Sequence, residues 1–98
     1  NILLLGSGGR EHAIARALSG DPSVSTLVIA PGNPGMAALG DLVAVDVLDG
    51  RAVADLAASR GIDLVVVGPE APLVAGVADA VRSRGIAVFG PSAAAARL

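Results

Sequence analysis

The amino-acid sequence contains no cysteine and no lysine, and it has a single histidine among its 98 residues. Without cysteine there is no disulfide framework, no thiolate nucleophile and no cysteine-ligated zinc site. The absence of lysine excludes a Schiff-base lysine and the lysine of a nucleotide-binding P-loop within this chain. A single histidine cannot form a histidine metal cluster. We therefore expect neither catalytic residues nor metal ligands in this chain.

Aromatic residues and positive charge are also scarce. There is one phenylalanine, no tryptophan or tyrosine, and a formal net charge of −2, whereas nucleic-acid-binding proteins need a basic face and often aromatic stacking platforms. No apolar run approaches the ~20 residues that span a bilayer, and no signal peptide begins the chain. The sequence predicts a cytoplasmic protein that binds neither nucleic acid nor membrane. It lacks an initiator methionine and its last residues begin an uncapped helical pattern, so we expect it to be part of a longer chain.

Aliphatic residues dominate the composition, and 53% of the sequence is hydrophobic. This is enough for one domain spanning residues 1–98. Apolar runs alternate with amphipathic segments, which predicts right-handed crossovers and a Rossmann-like, doubly wound α/β fold with a parallel sheet of about five strands. The expected strands are residues 3–5, 24–30, 42–45, 62–67 and 86–89. The expected helices are residues 10–19, a segment capped by Asp46 or Asp49 that ends before Gly61, and one from Pro72 to Gly85.

The first loop, residues 6–9, reads Gly-Ser-Gly-Gly and separates an apolar run from an amphipathic helix. Glycines let a ligand approach the backbone closely. The helix that follows directs unpaired N–H groups and the positive end of its dipole toward the loop. Together with Arg10, this arrangement predicts a site for one phosphate. The competing interpretation is a tight turn that only joins a strand to a helix.

Three further corners contain glycine, at residues 31–33, 68–70 and 90–92. Parallel strands place their carboxyl ends at one edge, where ligands of such folds bind, so we expect all four loops to form one crevice. Glu70 would bind ribose hydroxyls or an amine there, or would only stabilise the start of a helix. Asn33 and Ser92 are hydrogen-bonding candidates, but both residue types are also common in turns and caps. His12 is a possible general base, although a structural role is the commoner one.

A dinucleotide site is disfavoured by two departures from its fingerprint. Gly6 and Gly8 begin that fingerprint, but the third glycine position is occupied by Glu11, whose carboxylate would repel pyrophosphate. The second strand ends in Ala30-Pro31 and lacks the acidic residue that binds ribose. We expect Glu11 instead to pair with Arg10 or to help cap the first helical turn.

Taken together and in this order, these segments resemble the N-terminal domain of the phosphoribosylamine–glycine ligase family, also called glycinamide ribonucleotide synthetases. The resemblance extends over essentially the whole chain and rests on residues 6–12, 30–33, 67–73 and 89–92. One departure is Ser92, where the family often has threonine, and this change keeps the hydroxyl.

The resemblance implies an ATP-grasp ligase of purine biosynthesis that joins 5-phosphoribosylamine to glycine with hydrolysis of ATP to ADP and phosphate. In this family the glycine carboxylate is activated as an acyl phosphate, which the ribosylamine nitrogen then attacks. ATP and Mg²⁺ would bind to ATP-grasp and C-terminal domains that this chain lacks. This domain would pack against the ATP-grasp domain, help hold the phosphoribosyl substrate and be inactive alone.

The resemblance also implies where the substrate lies. Its phosphate would bind at Gly8, Gly9 and Arg10, and its ribose or amine would face Glu70 and Asn33. The full set of implied substrate-binding residues is Gly6, Gly8, Gly9, Arg10, Glu11, Pro31, Gly32, Asn33, Gly68, Pro69 and Glu70.

Two other functions stay open on the residues alone. One is a nucleotide-binding regulatory or oxidoreductase module, and the other is a non-catalytic α/β interaction domain whose glycines only form turns. An apolar face that normally packs on missing domains would be exposed in this chain, so we also expect it to associate.

Overall fold

The computed structural model describes residues 1–68 and 75–89, in which strands and helices largely alternate. Here the strands are β1 (Ile2–Gly6), β2 (Leu27–Pro31), β3 (Asp41–Leu42), β4 (Leu64–Val67) and β5 (Ala87–Phe89). The helices are α1 (Gly9–Ser19), α2 (Gly50–Ser59) and α3 (Ala75–Ser83), and a short 3-10 helix covers Pro34–Met36.

The five strands form one parallel sheet in the order β3-β2-β1-β4-β5. β1 lies at the centre, where Leu4 is beside Ile29 of β2 and Val66 of β4. From β1 the chain proceeds outward through β2 and β3, then returns to the other side of β1 for β4 and β5. The predicted α/β parallel-sheet fold is confirmed. Because the winding direction reverses there, the topological switch point lies between β1 and β4.

The sheet is covered on both faces, which explains why its central strands are continuous aliphatic runs. Leu3, Leu5 and Val65 pack on one face with buried residues of α2 and α3. Leu4 packs on the other face with Ala15 of α1. Successive side chains of β1 therefore enter different layers of the core. Burying each large aliphatic side chain contributes about 1.5–3 kcal/mol relative to exposure, so the central strands carry much of the stability.

Helix ends follow the predicted signals. α1 stops at Gly20, whose N–H donates to the Arg16 carbonyl at 3.3 Å. Asp49 caps α2, since its carboxylate accepts a hydrogen bond from the Ala52 N–H at 3.2 Å. Of the two predicted caps Asp49 is therefore correct, whereas Asp46 accepts from the Leu48 N–H in the preceding turn. The predicted helix start at Pro72 lies outside the described residues.

The third strand is shorter than predicted. The sequence predicts residues 42–45, but only Asp41–Leu42 pair with β2. The partner strand ends at Pro31, which has no N–H to donate, and Gly32 then turns the chain away with a φ of +68°. Val43, Val45 and Val47 alternate with exposed residues after β3, and they are half-buried against the layer that contains α2 and α3. Their period-2 pattern reflects this packing and not continued strand pairing.

The second strand begins later than predicted because a turn precedes it. Val24 donates its N–H to the Asp21 carbonyl at 3.0 Å. The Asp21 carboxylate accepts hydrogen bonds from the Ser23 N–H at 2.9 Å and the Ser23 hydroxyl at 2.7 Å. These two bonds, the backbone one foremost, hold the pKa of Asp21 below its usual value. The local hydrogen bonds of Asp21 thus delay the start of the strand.

No helix within residues 1–68 and 75–89 is both long enough and apolar enough to cross a membrane. Leu42, Leu48 and Phe89 are large apolar side chains that are exposed, and Phe89 is the most exposed at 70%. Phe89 of β5 pairs with Val66 of β4, so its side chain lies on the same face of the sheet as α1. An apolar side chain is therefore exposed at the β5 edge of the sheet.

Candidate functional site

The carboxyl ends of β1, β2 and β4 lie side by side at one edge of the sheet. Gly6 pairs with Pro31, and the Gly32 N–H donates to the Gly6 carbonyl at 3.0 Å. On the other side of β1, the Gly68 N–H donates to the Leu5 carbonyl at 2.9 Å. The first two predicted corners and Gly68 of the third are therefore adjacent. The fourth corner, at residues 90–92, and also Pro69 and Glu70, lie outside the described residues.

The turn between β1 and α1 provides an open helix N-terminus at this edge. Gly6 is buried with a φ of +138°, a value that favours glycine. α1 begins after Gly8, which has no side chain to cap the helix. A Cβ at Gly9 would have no neighbour within 4 Å, and both Gly9 and Arg10 are exposed. The N–H groups of the first turn, the helix dipole and the Arg10 guanidinium can therefore all act on an anion in this loop.

Asn33 joins the second corner to the first. Its side-chain amide donates to the Ser7 carbonyl at 2.7 Å, while its side-chain oxygen accepts from the Gly35 N–H at 2.9 Å. The second bond caps the 3-10 helix Pro34–Met36. Asn33 thus holds the Ser7–Gly8 turn at a fixed place relative to β2. The sequence places Asn33 at the crevice but gives no indication of this link.

His12 packs against the same 3-10 helix. A Cβ at Gly35 would lie 3.2 Å from His12 Cε1 and 3.6 Å from its Nδ1. The ring is half-buried, and its position follows from the first turn of α1, where the His12 N–H donates to the Gly8 carbonyl at 3.0 Å. These contacts fit the structural role that the sequence favours for this histidine.

Glu11 is the buried charged residue of the site. Its side chain is 0% exposed, and neither carboxylate oxygen has a hydrogen-bond partner among the described residues. A Cβ built on Gly6 would lie 2.7 Å from the Glu11 Cδ, and one on Gly68 would lie 2.6 Å from it. The expected pairing with Arg10 and the expected capping hydrogen bond are therefore both wrong. The side chain points inward, between the ends of β1 and β4.

Acidic residues elsewhere have structural partners. Asp63 pairs with the N-terminal ammonium at 2.7 Å, Asp79 lies 3.9 Å from Arg82, and Asp55 pairs with Arg84. Within residues 1–68 and 75–89 no group of three or more histidine, aspartate or glutamate residues could hold a metal ion.

Comparison with known proteins gives the same family over the whole chain. The family model described as "Phosphoribosylglycinamide synthetase, N domain" matches residues 1–98. A phosphoribosylamine–glycine ligase of Streptomyces coelicolor is 63% identical over 97 residues, and one of Mesorhizobium japonicum is 57% identical over 98 residues. A third, from Mycobacterium tuberculosis, is 54% identical over 97 residues. The matches cover 99%, 100% and 99% of this chain, respectively, but only 23% of each relative.

Proposed function

The chain belongs to the phosphoribosylglycinamide synthetase N-domain family, and on that premise we propose that it is the substrate-holding domain of a phosphoribosylamine–glycine ligase. Such a ligase joins 5-phosphoribosylamine to glycine with hydrolysis of ATP in purine biosynthesis. The chain spans about a quarter of the length of the curated relatives it matches, at 23% of each. The reaction as a whole would therefore need the remaining three quarters of the protein.

The observation that supports this role is the open N-terminus of α1 at the carboxyl edge of the sheet. A phosphate placed over Gly8 and Gly9 would accept hydrogen bonds from first-turn N–H groups and would lie at the positive end of the helix dipole. Arg10 follows directly and is exposed, so its guanidinium can add a charge-assisted, bidentate contact. A phosphate held in this way fixes one end of a phosphoribosyl substrate.

The ribose and its amine would extend from this phosphate along the crevice. Gly32 and Asn33 form the β2 side of the crevice, and Gly68 forms the β4 side. Pro31, Pro69 and Glu70 complete the proposed set of contacts. Binding in this orientation would present the amine nitrogen at the open edge, where the rest of the ligase supplies the reacting partner. The role of this domain is thus to bind and orient, and we assign it no chemical step.

We infer that ATP and Mg²⁺ bind outside this chain. The sequence has no lysine for a P-loop, and residues 1–68 and 75–89 contain no cluster that could hold a metal ion. We place both in the ATP-grasp part of the proposed ligase, against which this domain would pack. Residues 1–98 alone would accordingly have no ligase activity.

Replacing Arg10 in the intact ligase tests the proposed phosphate contact. Arg10→Ala should raise the KM for phosphoribosylamine about tenfold to a hundredfold, because a hydrogen bond to a charged group contributes about 1.5–3 kcal/mol. The KM for ATP should change less than about twofold, since ATP would bind elsewhere. Steady-state kinetics with each substrate varied separately measures both values.

The matched control is Arg16→Ala, which removes the same charge from the last turn of the same helix. We expect this variant to keep both KM values. Equal increases in the two KM values for Arg10→Ala, or an effect of Arg16→Ala as large as that of Arg10→Ala, would contradict the assignment.

A further inference from the structure

Glu11 places a carboxyl group in the interior of the fold, beside the first loop. The side chain is 0% exposed, and among the described residues neither carboxylate oxygen accepts a hydrogen bond. Buried carboxylates are normally paired or hydrogen-bonded, because removing a charge from water is costly. A residue in this condition beside a ligand loop calls for a functional explanation.

The position of this carboxylate is defined by two glycines from different strands. A Cβ on Gly6 would collide with the Glu11 Cγ and Oε1, and a Cβ on Gly68 would collide with the same Cγ. Gly6 ends β1 and Gly68 follows β4. The carboxylate thus lies between the ends of the two strands that flank the topological switch point. In doubly wound folds, this point is where the ligand crevice opens.

This carboxyl group also lies near the N-terminus of a helix. Glu11 is in the first turn of α1, where the helix dipole and the first N–H groups favour a negative group. A bound pyrophosphate uses this same feature in dinucleotide-binding folds. In this chain the third position of the Gly6-x-Gly8-x-x-Glu11 pattern carries a carboxyl side chain in that first turn.

We propose that Glu11 is a specificity-determining residue whose buried carboxylate acts as an internal anion at the switch point and restricts the site to ligands with a single phosphate. The proposal rests on the proposed function, since it concerns the choice of ligand at the same loop. One phosphate can bind on the outer side of the loop, where Gly9 is open and Arg10 is exposed. A second phosphate would have to approach the Glu11 charge through the poorly screening protein interior, where like charges repel strongly.

The site would then select its ligand in two ways, because Glu11 repels a second phosphate and the loop attracts the first. Pyrophosphate, nucleoside diphosphates and dinucleotides carry the additional phosphate and would be rejected. A sugar monophosphate would be accepted. The domain could then share a cell with abundant nucleotides without its substrate site being occupied by them.

The test compares two ligands on the 98-residue chain. Ribose 5-phosphate and inorganic pyrophosphate are titrated into the unmodified chain, into Glu11→Gln and into the control Asp79→Asn, with binding measured by calorimetry. Glu11→Gln removes the charge and keeps the side-chain size. Asp79→Asn removes one charge from an exposed residue of α3, so it controls for the change in net charge.

In the unmodified chain, pyrophosphate should bind at least about tenfold more weakly than ribose 5-phosphate, a difference of about 1.4 kcal/mol. Glu11→Gln should remove most of this difference by tightening pyrophosphate binding, and Asp79→Asn should leave it in place. Equal affinities of the two ligands for the unmodified chain would overturn the proposal even if Glu11→Gln does not fold. An unchanged ratio in a folded Glu11→Gln would also overturn it.

The result for ribose 5-phosphate separates this proposal from the proposed function. If the unmodified chain binds no ribose 5-phosphate, the substrate-holding role fails and the selectivity proposal fails with it. If ribose 5-phosphate binds but Glu11→Gln has no effect on the ratio, only the selectivity proposal fails.

Discussion

The Glu11 side chain makes glycine necessary at two positions that are far apart in the sequence. Gly6 has a positive φ, so its identity has a second, conformational cause. Gly68 is not among the described glycines that have a positive φ. Glycine is needed at this position for a steric reason. A Cβ there would lie 2.6 Å from the Glu11 Cδ and 2.9 Å from the Leu5 carbonyl oxygen.

Gly68→Ala tests this packing directly. We expect the variant to lose about 1–3 kcal/mol of unfolding free energy, because an added methyl group in a filled space forces the backbone or neighbouring side chains to move. Chemical denaturation monitored by circular dichroism measures the loss. Gly9→Ala is the matched control, since its Cβ would meet nothing within 4 Å and it lies in a helix.

The control should be unchanged or more stable by about 0.4–1 kcal/mol, as is usual for Gly→Ala at an unstrained helical position. Combining Gly68→Ala with Glu11→Ala should cost less than the sum of the two single changes, because the smaller side chain leaves room for the methyl group. Additive losses would show that Glu11 and Gly68 do not share one space.

For single residues, the sequence predicts part of the candidate site. The glycines and Arg10 predict an anion-binding loop because their backbone and charge properties are local. The Gly6-x-Gly8-x-x-Glu11 spacing predicts that pyrophosphate does not bind there. Whether Glu11 is exposed or buried depends on Gly68, which β4 brings beside β1, so no local pattern could indicate it.

Among the elements, the turn after β2 is fixed by hydrogen bonds of Asn33. One bond reaches the Ser7 carbonyl in the first loop, and the other caps the 3-10 helix Pro34–Met36 through the Gly35 N–H. Two loops from neighbouring strands are thus connected through a single side chain. The geometry of the proposed phosphate loop depends on this connection.

Two substitutions of Asn33 separate its two bonds. Asn33→Asp keeps the acceptor for Gly35 but loses the donor to Ser7, and Asn33→Ala loses both. We expect both variants to weaken ribose 5-phosphate binding, about threefold to tenfold, because the Ser7–Gly8 turn is no longer held. Asn33→Ala should also lose about 1–2 kcal/mol of stability. Calorimetric titration and chemical denaturation measure the two effects.

Asp49→Ala provides the control, since it removes a cap from α2 at a comparable cost of about 1 kcal/mol. It should leave ligand affinity unchanged, because the hydrogen bonds of Asp49 join it to Asp46, Ala52 and Val53 and not to the described loops of the site. If Asn33→Asp binds ribose 5-phosphate as tightly as the unmodified chain, the link to Ser7 does not position the loop.

Element types were predictable from the sequence, but strand ends were not. The aliphatic run of β4 and the glycine that ends α1 depend on local properties. The glycine lies where the sequence predicts it, and β4 covers Leu64–Val67 of the predicted residues 62–67. The length of β3 depends on its partner, since β2 ends at Pro31 and offers no further N–H. The start of β2 depends on the hydrogen bonds of Asp21. Pairing and competing turns, and not strand propensity, set these boundaries.

On the scale of the whole molecule, the strand order β3-β2-β1-β4-β5 explains why one edge carries the site. All strands are parallel, so their carboxyl ends share that edge, while turns such as those at Gly61 and Gly85 lie at the opposite edge. Alternating strand and helix patterns predict this arrangement. The contacts that shape the crevice, from Asn33 to Ser7 and from Glu11 to Gly68, follow only from the folded chain.

Above all, we propose that the turn between β1 and α1 holds the phosphate of a phosphoribosyl substrate. Titration of the ¹⁵N-labelled 98-residue chain with ribose 5-phosphate, followed by two-dimensional NMR, tests it most directly. We expect saturable shifts of the Gly8, Gly9 and Arg10 amides, with those of Gly61 and Gly85 at the opposite edge unchanged. Absence of a saturable shift at Gly8, Gly9 and Arg10, or equal shifts at both edges, would contradict the claim.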